Sequence, residues 1–180
     1  MVSQRISGKK KQGNRGERLF RNWLDDNDFI YVAIDQEKET FSKQLKGKAK
    51  RPDFFLLIPY FGIIAVDVKN LSDSYSGFNL NIVEEIAKAA EFERLFGIHL
   101  WFAVMDKDTD DGKNWNFLNS DIAIDKGKAL NTDKRKDAYL WIGKEHFTSI
   151  TDIHDFQKLL TIRPNVTGSW SDMISNFYLT

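Results

Sequence analysis

Cysteine is absent from this 180-residue chain, and histidine occurs only three times. Without cysteine, the chain can form no disulfide scaffold, no thiolate zinc site and no cysteine nucleophile. His99, His146 and His154 show no ligand spacing and share no predicted element, which argues against a histidine metal site or a Ser-His-Asp hydrolase. The two scarcities exclude thiol chemistry and disfavour histidine chemistry.

A continuous apolar run is also missing from the first 20 residues, which are basic. The sequence therefore predicts neither a secretory signal nor a membrane span there, and a cytoplasmic location is the expectation. Hydrophobic residues make up 42% of the chain, with 14 Phe and 5 Trp, which is ample for a core. We expect one compact α/β domain over residues 14–180, with its core in residues 14–105, preceded by a flexible basic arm over residues 1–13.

The formal net charge is zero, but the charge is unevenly distributed. Residues 1–51 hold 13 Lys and Arg against 7 Asp and Glu, whereas the rest of the chain holds 13 against 19. The basic residues of the first part form two clusters, which are Lys9, Lys10, Lys11, Arg15, Arg18 and Arg21, then Lys43, Lys46, Lys48, Lys50 and Arg51. A solvated surface is the plain interpretation, but both clusters lead into one acidic region, which favours a phosphate-binding surface.

Hydrophobic periodicity predicts the element order α, β, β, β, α, β over residues 14–105. The predicted elements are a helix from Asn14 to about residue 25, strands over 29–34, 54–58 and 63–68, a helix over 81–96 and a strand over 99–105. The second and third strands form a hairpin that belongs in the centre of a sheet, because both are almost continuously apolar. Beyond the predicted loops at 36–50, 71–79 and 106–114, we expect β-segments near 121–124 and 139–142, a short helix over 152–160, and a tail that packs back on the core.

Charged residues interrupt the two hairpin strands. Pro52-Asp53 opens the first of them, and Asp67-Val68-Lys69 closes the second. An unpaired charge in such buried β-structure costs several kcal/mol. The two-residue period of a strand places Asp67 and Lys69 on the same side, and Glu17 lies at the edge of the apolar stripe of the first helix. A salt-bridged surface pair and an ordinary helix N-terminal acid are the alternatives to a functional site.

These residues and this element order resemble the PD-(D/E)xK nuclease superfamily. The resemblance implies an α/β fold with a restriction-endonuclease-like core, in which helices flank a central mixed sheet. It further implies that Asp53 and Asp67 bind Mg²⁺ or Mn²⁺, with Glu17 as a third ligand and the Val68 carbonyl completing the shell. Lys69 would then orient or activate the attacking water. Phosphodiester hydrolysis needs a hydroxide in line with the leaving oxygen and positive charge beside the phosphate, which such a group of residues can provide.

Within this superfamily, Gly16-Glu17-Arg18 and Arg51-Pro52-Asp53 look most similar to the archaeal-type Holliday junction resolvases. The similarity implies that Arg18 contacts a phosphate, but the second acid is Asp67 where those resolvases usually have Glu. Restriction, repair and mobile-element nucleases share the same core, so the subclass stays open. We expect a metal-dependent endodeoxyribonuclease that binds duplex or branched DNA and works as a monomer or a homodimer. The alternative is an inactive nucleic-acid-binding or interaction module that keeps the nuclease fold.

The expected DNA-binding residues are basic, and their contacts with phosphates predict salt-dependent binding. They are Arg18, Lys9, Lys10, Lys11, Lys43, Lys46, Lys48, Lys50 and Arg51. Trp115, Trp141 and Trp170 could stack on bases, although core packing is the commoner role of such tryptophans. Glu84 and Lys88 either border the site or form a solvated pair on a helix face.

Overall fold

A computed structural model describes residues 15–35, 42–59, 61–106, 111–130 and 138–160. The elements are α1 (residues 15–26), β1 (Ile30–Ala33), β2 (Phe54–Ile58), β3 (Gly62–Leu71), β4 (Gly77–Asn81), a π-helical turn (Ile82–Ala87), α2 (Lys88–Phe96), β5 (Leu100–Asp106), β6 (Trp115–Asn119), α3 (Ser120–Lys126), β7 (Lys128–Leu130), β8 (Tyr139–Gly143), β9 (Thr148–Ile150) and α4 (Gln157–Leu160). Short 3₁₀ helices lie at Lys144–His146 and Ile153–Phe156. The predicted hairpin strands and the predicted fourth strand are all present.

A six-stranded mixed sheet forms the centre of the fold, in the order β1-β2-β3-β5-β6-β9. β2 pairs antiparallel with β1 and β3, whereas β3 and β5 are parallel. Parallel neighbours need a crossover connection, which here contains α2. The six predicted elements are present in the predicted order as α1, β1, β2, β3, α2 and β5, with the unpredicted strand β4 between β3 and α2. The fold class is the expected mixed α/β one, in which helices flank a central mixed sheet.

Two apolar cores lie on opposite faces of this sheet. Val66 and Val68 of β3 pack in the cluster that contains Phe20 of α1, whereas Ala65 packs in the cluster that contains Phe92 of α2. Side chains alternate along a strand, so even-numbered residues of β3 face α1 and odd-numbered ones face α2. A second sheet, in the order β4-β8-β7, contributes apolar side chains to the α2 side.

Two local predictions are wrong. Residues 121–124 belong to α3 and not to a β-segment, because the Asn119 side chain accepts a hydrogen bond from Ile122 N at 2.8 Å and starts a helix. Residues 77–79 belong to β4 and not to a loop, because they pair with β8, a partner more than 60 residues away in sequence. The hairpin strands are central as expected, but Leu57 and Ile63 are about half exposed and not covered.

Several predictions concern residues outside the described ranges. The arm over residues 1–13, the Asn14 cap and the tail beyond residue 160 are among them, so the division into arm and domain stays a prediction. In the ranges that are described, no helix has both the length and the apolar character needed to cross a bilayer.

Candidate active site

The β2–β3 hairpin brings the two predicted metal-binding aspartates next to each other. Phe54 pairs with Val66, and Asp53 N donates a hydrogen bond to Val66 O at 2.8 Å. Continuing this register by one residue sets Asp53 opposite Asp67 on the neighbouring strand. Like charges directly opposite each other destabilise a sheet, so this arrangement needs compensation from other charges.

Asp53 has a strongly altered acidity. Its Oδ2 accepts a hydrogen bond from Val68 N at 2.7 Å, which favours the charged carboxylate. Burial acts more strongly in the other direction, and the negative charges of Asp67 and Glu17 add to it, so that the pKa of Asp53 rises to about 8. At neutral pH and without a cation, this carboxyl group is therefore largely protonated.

Asp67 and Lys69 lie on the α2 side of the sheet, as the strand period predicts. They belong to a cluster of four charges with Lys50 and Glu85. Lys69 Nζ lies 2.6 Å from Asp67 Oδ2 and 2.8 Å from Glu85 Oε2. Lys50 Nζ lies 3.3 Å from Asp67 Oδ1 and 2.5 Å from the same Glu85 oxygen. Each carboxylate contacts both ammonium groups, and the formal charge of the cluster is zero.

The contacts within this cluster favour the charged forms of Asp67 and Lys69 despite their burial. The side chain of Asp67 is only 4% exposed, and burial alone would raise its pKa, but Lys69 and Lys50 outweigh burial and lower it. Burial likewise opposes the charge on Lys69, yet Asp67 and Glu85 raise its pKa overall. A salt-bridged pair at the surface, the alternative interpretation, does not describe these contacts, because the cluster is mostly buried.

Glu17 lies on α1, on the other side of the sheet, and its charge interacts with the acids of the site. Burial and the charge of Asp67 raise its pKa, while Arg21 and Lys69 lower it to a smaller extent. The preceding residue, Gly16, permits α1 to lie close to β3, because a Cβ atom there would lie only 3.0 Å from the Cβ atom of Asn70 on β3. Glu17 is therefore electrostatically coupled to Asp67 and Asp53, as a helix acid beside the site should be.

Two members of the charge cluster did not follow from the motif. The prediction that Lys50 contacts DNA stays a prediction; in the structure its side chain contacts Asp67 and Glu85, and its backbone N donates to Lys88 O at 2.8 Å. Glu85 lies in the π-helical turn that precedes α2, and π-helical turns are rare and frequent at functional sites. The sequence shows acids about one turn into the predicted helix that follows the motif, but this pattern does not distinguish Glu85 from its neighbour Glu84.

Glu84 and Lys88 form the solvated helix-face pair that was the plainer alternative. Glu84 is largely exposed and contacts neither aspartate, and Asn81 Oδ1 accepts a hydrogen bond from its backbone N at 2.8 Å. The π-helical turn therefore directs Glu85 inward and Glu84 outward, which makes the two residues a matched pair for mutagenesis.

The remaining predicted DNA-binding residues differ in position. Arg18 is exposed on α1, and Lys43, Lys46 and Lys48 are exposed in the turn that leads to Lys50. Arg51 is half-buried, and Lys9, Lys10 and Lys11 lie outside the described residues. The turn is anchored by Ala49, which is buried in the core on the α2 side. Exposed lysines thus directly precede the charge cluster in the sequence.

The histidines and tryptophans have structural surroundings where they are described. His99 and His154 are exposed, and Trp115 is fully buried in the core. Trp141 Nε1 donates a hydrogen bond to Ser74 O at 2.7 Å, and Trp170 lies outside the described residues. None of the described residues supports a histidine site.

The acids of the site suit a hard cation. Asp53, Asp67 and Glu17 offer carboxylate oxygens, which Mg²⁺ and Mn²⁺ prefer. Burial, and after it the repulsion from Asp67, raises the pKa values of Asp53 and Glu17. Asp67 Oδ2 is buried and has an ion-pair contact but, within the described ranges, no hydrogen bond of good geometry. The same ranges contain no group of three potential ligands already gathered for an ion. The donor chemistry therefore fits, while binding requires Asp67 to exchange a lysine contact for the cation.

No family model matches this sequence, and no curated protein matches it. Among solved structures, the chain is similar to Hjc, a Holliday junction resolvase from the archaeal hyperthermophile Archaeoglobus fulgidus, with a TM-score of 0.48 and 18% sequence identity. The similarity covers 75% of this chain and 91% of the resolvase chain. A likeness at this identity says nothing of activity, which rests on the geometry of the site.

Proposed function

We propose that this chain is a divalent-metal-dependent endodeoxyribonuclease. The observation that carries the proposal is the close grouping of Asp53, Asp67 and Lys69 on two paired central strands, with the pKa of Asp53 raised to about 8 by burial and by the neighbouring acids. A fold gains no stability from crowding acids in this way. Such strain is typical of a site that uses the acids for chemistry.

Each residue has a role that its position supports. Asp53, Asp67 and Glu17, with the carbonyl oxygen of Val68, would hold Mg²⁺ or Mn²⁺. Such an ion supplies positive charge to the phosphate and lowers the pKa of a bound water. Lys69 keeps a permanent positive charge beside Asp67, because the adjacent acids raise its pKa. Its ammonium group can orient the attacking water and contact a phosphate oxygen without leaving the strand.

The proposed substrate is DNA, bound by its phosphates. The exposed Lys43, Lys46 and Lys48 precede the site in sequence, and Arg18 follows Glu17 on α1. A junction-resolvase-like activity and a restriction or repair activity both fit this arrangement. A homodimer would allow paired cuts on two strands, and it stays a prediction together with the cytoplasmic location.

One observation favours a second candidate function, an inactive DNA-binding or interaction module. Lysine ammonium groups contact both oxygens of Asp67, so the acid already has partners in place of a cation. If no cation displaces these lysines, the protein cannot cleave DNA, but its fold and basic surface can still bind DNA or a partner. A metal titration separates the two candidates, because only the nuclease has to bind Mg²⁺ or Mn²⁺ at this site.

The test uses the full chain on linear duplex, single strand, flap and four-way junction DNA, each with Mg²⁺, Mn²⁺ or EDTA. We expect cleavage of at least one substrate that needs the cation. Asp53→Asn should lower the rate by about 100-fold or more, because it removes a charged ligand. The Asn side chain can still accept the hydrogen bond from Val68 N, so the variant should fold.

Glu84→Gln is the matched control, because it neutralises an exposed acid next to the site and should cleave like the parent. Lys69→Met should also abolish cleavage. Because this substitution removes an ion-pair partner from two buried acids, unfolding measurements have to show that the variant is folded. If Asp53→Asn remains folded, still binds DNA and cuts as fast as the parent, the proposed chemistry is wrong. No cleavage of any substrate by the parent, together with no metal binding, would establish the inactive module.

A further inference from the structure

The loop between β3 and β4 presents an aromatic side chain to solvent in a strained conformation. Tyr75 is 95% exposed, and its φ angle is 53°. Ser76 follows with a φ angle of 60°, so two consecutive residues other than glycine adopt left-handed backbone. The left-handed conformation is sterically unfavourable for each such residue, and Tyr75 recovers little of this cost by packing. The loop therefore needs another reason for this shape.

Hydrogen bonds within the loop hold the shape without help from the tyrosine ring. Asp73 Oδ1 accepts from Ser76 N at 2.8 Å, and Ser74 N donates to Gly77 O at 2.8 Å. The loop is also fixed from outside, because Trp141 Nε1 donates to Ser74 O at 2.7 Å. These contacts define the backbone on both sides of Tyr75.

Lys144 connects the loop to the central sheet. Its Nζ lies 2.6 Å from Asp73 Oδ2 and 3.1 Å from Oδ2 of Asp106, the last residue of β5, and its backbone N donates to Ser76 O at 2.9 Å. A left-handed pair that is tied to two other segments is an over-determined conformation, and strain held in this way is typical of functional sites.

The loop lies at the same end of the sheet as the candidate active site. Asp106 pairs in register with Leu71, and Lys69 precedes Leu71 by two residues on the same strand. Tyr75 is six residues after Lys69, so their Cα atoms are at most about 22 Å apart even in a fully extended chain. That distance spans about six nucleotides along one strand of a duplex. A DNA strand that runs from a phosphate at Lys69 toward this end of the sheet would therefore pass within reach of the Tyr75 ring.

We propose that Tyr75 stacks on an unstacked base of the DNA near the cleaved phosphate, and so favours flaps, branch points or single strands over intact duplex. The inference rests on the proposed function and names its substrate class. Bases in a duplex already stack on each other, whereas unpaired bases can stack on an exposed aromatic ring, which contributes substantially to binding and tolerates any base sequence. The preset backbone fixes the position of the Cα–Cβ bond, so only the side-chain torsions of Tyr75 have to be ordered on binding.

The test measures binding in EDTA, where no cleavage occurs, with the full chain and its Tyr75→Phe and Tyr75→Ala variants. The probes are a flap and a four-way junction that carry 2-aminopurine at nucleotides around the branch, and a linear duplex with the same label. We expect the parent and Tyr75→Phe to quench the label near the branch. Tyr75→Ala should lose the quenching and bind branched DNA about tenfold or more weakly, with duplex binding changed by less than about twofold.

Phe61→Ala is the matched control, because this partly exposed aromatic residue lies in the turn at the opposite end of β3. It should bind every probe like the parent. Thermal unfolding of Tyr75→Ala should match that of the parent within experimental error, since the exposed ring makes no contribution to the core.

Three results would overturn the inference. They are unchanged binding and quenching in Tyr75→Ala, an equal loss of affinity for duplex and branched DNA, and unchanged DNA binding with altered self-association in sedimentation, which would make Tyr75 a protein contact. Failure of the proposed function is distinguished separately. If the parent binds branched DNA through Tyr75 but never cleaves it, the stacking contact is supported and only the proposed nuclease activity is wrong.

Discussion

Glu85 Oε2 lies 2.8 Å from Lys69 Nζ, although the motif that contains Lys69 does not predict any contact with the helical segment that contains Glu85. The same oxygen contacts Lys50, so one carboxylate holds two ammonium groups beside Asp67. Without Glu85, Asp67 would be the only acid in contact with both lysines. By sharing both lysines, Glu85 therefore weakens their attraction to Asp67, the residue proposed to bind a cation.

Glu85→Gln should raise the Mg²⁺ concentration that gives half-maximal cleavage. In the variant, the lysines have no second carboxylate to share, so the ion has to displace lysines that are more strongly attracted to the remaining acid. A change of about 1 kcal/mol in the free energy of this competition corresponds to roughly a fivefold shift in the Mg²⁺ concentration for half-maximal cleavage. The measurement is the cleavage rate as a function of Mg²⁺ concentration, with kcat and KM determined separately at saturating metal.

Glu84→Gln is the control for this shift, because Glu84 lies in the same π-helical turn and is exposed. It should have the same metal dependence as the parent. A metal dependence that is unchanged in Glu85→Gln would mean that Glu85 does not influence the competition at Asp67. Restoration by Glu85→Asp, which keeps the charge, would support the positioning role.

Asp53→Asn should stabilise the metal-free protein at alkaline pH. The pKa of Asp53 is about 8 in the folded protein and near 3.8 in an unfolded chain, so between these values the folded state binds a proton that the unfolded state has released. The stability of the parent therefore falls as the pH rises from about 4 to about 8. Removing the ionisable group removes this loss, and the variant should exceed the parent by about 1–3 kcal/mol near pH 8.5.

Urea unfolding in EDTA at several pH values between 4.5 and 8.5 measures this difference. The two proteins should be nearly equally stable at pH 4.5, where Asp53 is neutral in the folded parent. Glu93→Gln is a useful comparison, since burial raises the pKa of Glu93 to about 7 at a position outside the site. A stability difference between Asp53→Asn and the parent that does not change with pH would contradict the assigned acidity of Asp53.

The hairpin and its acids could be predicted from sequence because their signals are local. Apolar runs define β2 and β3, and the two-residue period alone fixes that Asp67 and Lys69 share a side. Glu17 could also be predicted as a candidate site residue, because a carboxylate at the edge of the apolar stripe of a helix is unusual. Each of these inferences depends on residues within one or two neighbouring elements.

The remainder of the site depends on contacts between distant segments. Glu85 reaches Lys50 across 35 residues and Lys69 across 16, and a π-helical turn sets its direction, for which periodicity gives no signal. The strand β4 forms only because β8 pairs with it. Tyr75 lies in a segment that reads as a polar loop, and its exposure and backbone strain are properties of the folded chain alone.

The exposed lysines before the site should make DNA binding sensitive to salt. Replacing Lys43, Lys46 and Lys48 together by Gln should reduce the slope of log Kobs against log salt by up to about 3, because each lost phosphate contact removes nearly one unit. The measurement is the binding of a four-way junction and a duplex in EDTA between 50 and 200 mM salt. Lys126→Gln, at an exposed position on α3, should leave the slope unchanged.

Tyr75→Gly should make the protein more stable and its branched-DNA binding weaker. Glycine adopts the left-handed conformation without the steric cost that tyrosine carries at a φ angle of 53°, although its greater freedom in the unfolded chain offsets part of the gain. The net increase in the free energy of unfolding should be about 0.5–1 kcal/mol, measured by urea unfolding. Tyr75→Ala is the comparison, because it removes the ring but keeps the Cβ atom and the strain. Equal stability of the Gly and Ala variants would show that the loop stores no strain at this position.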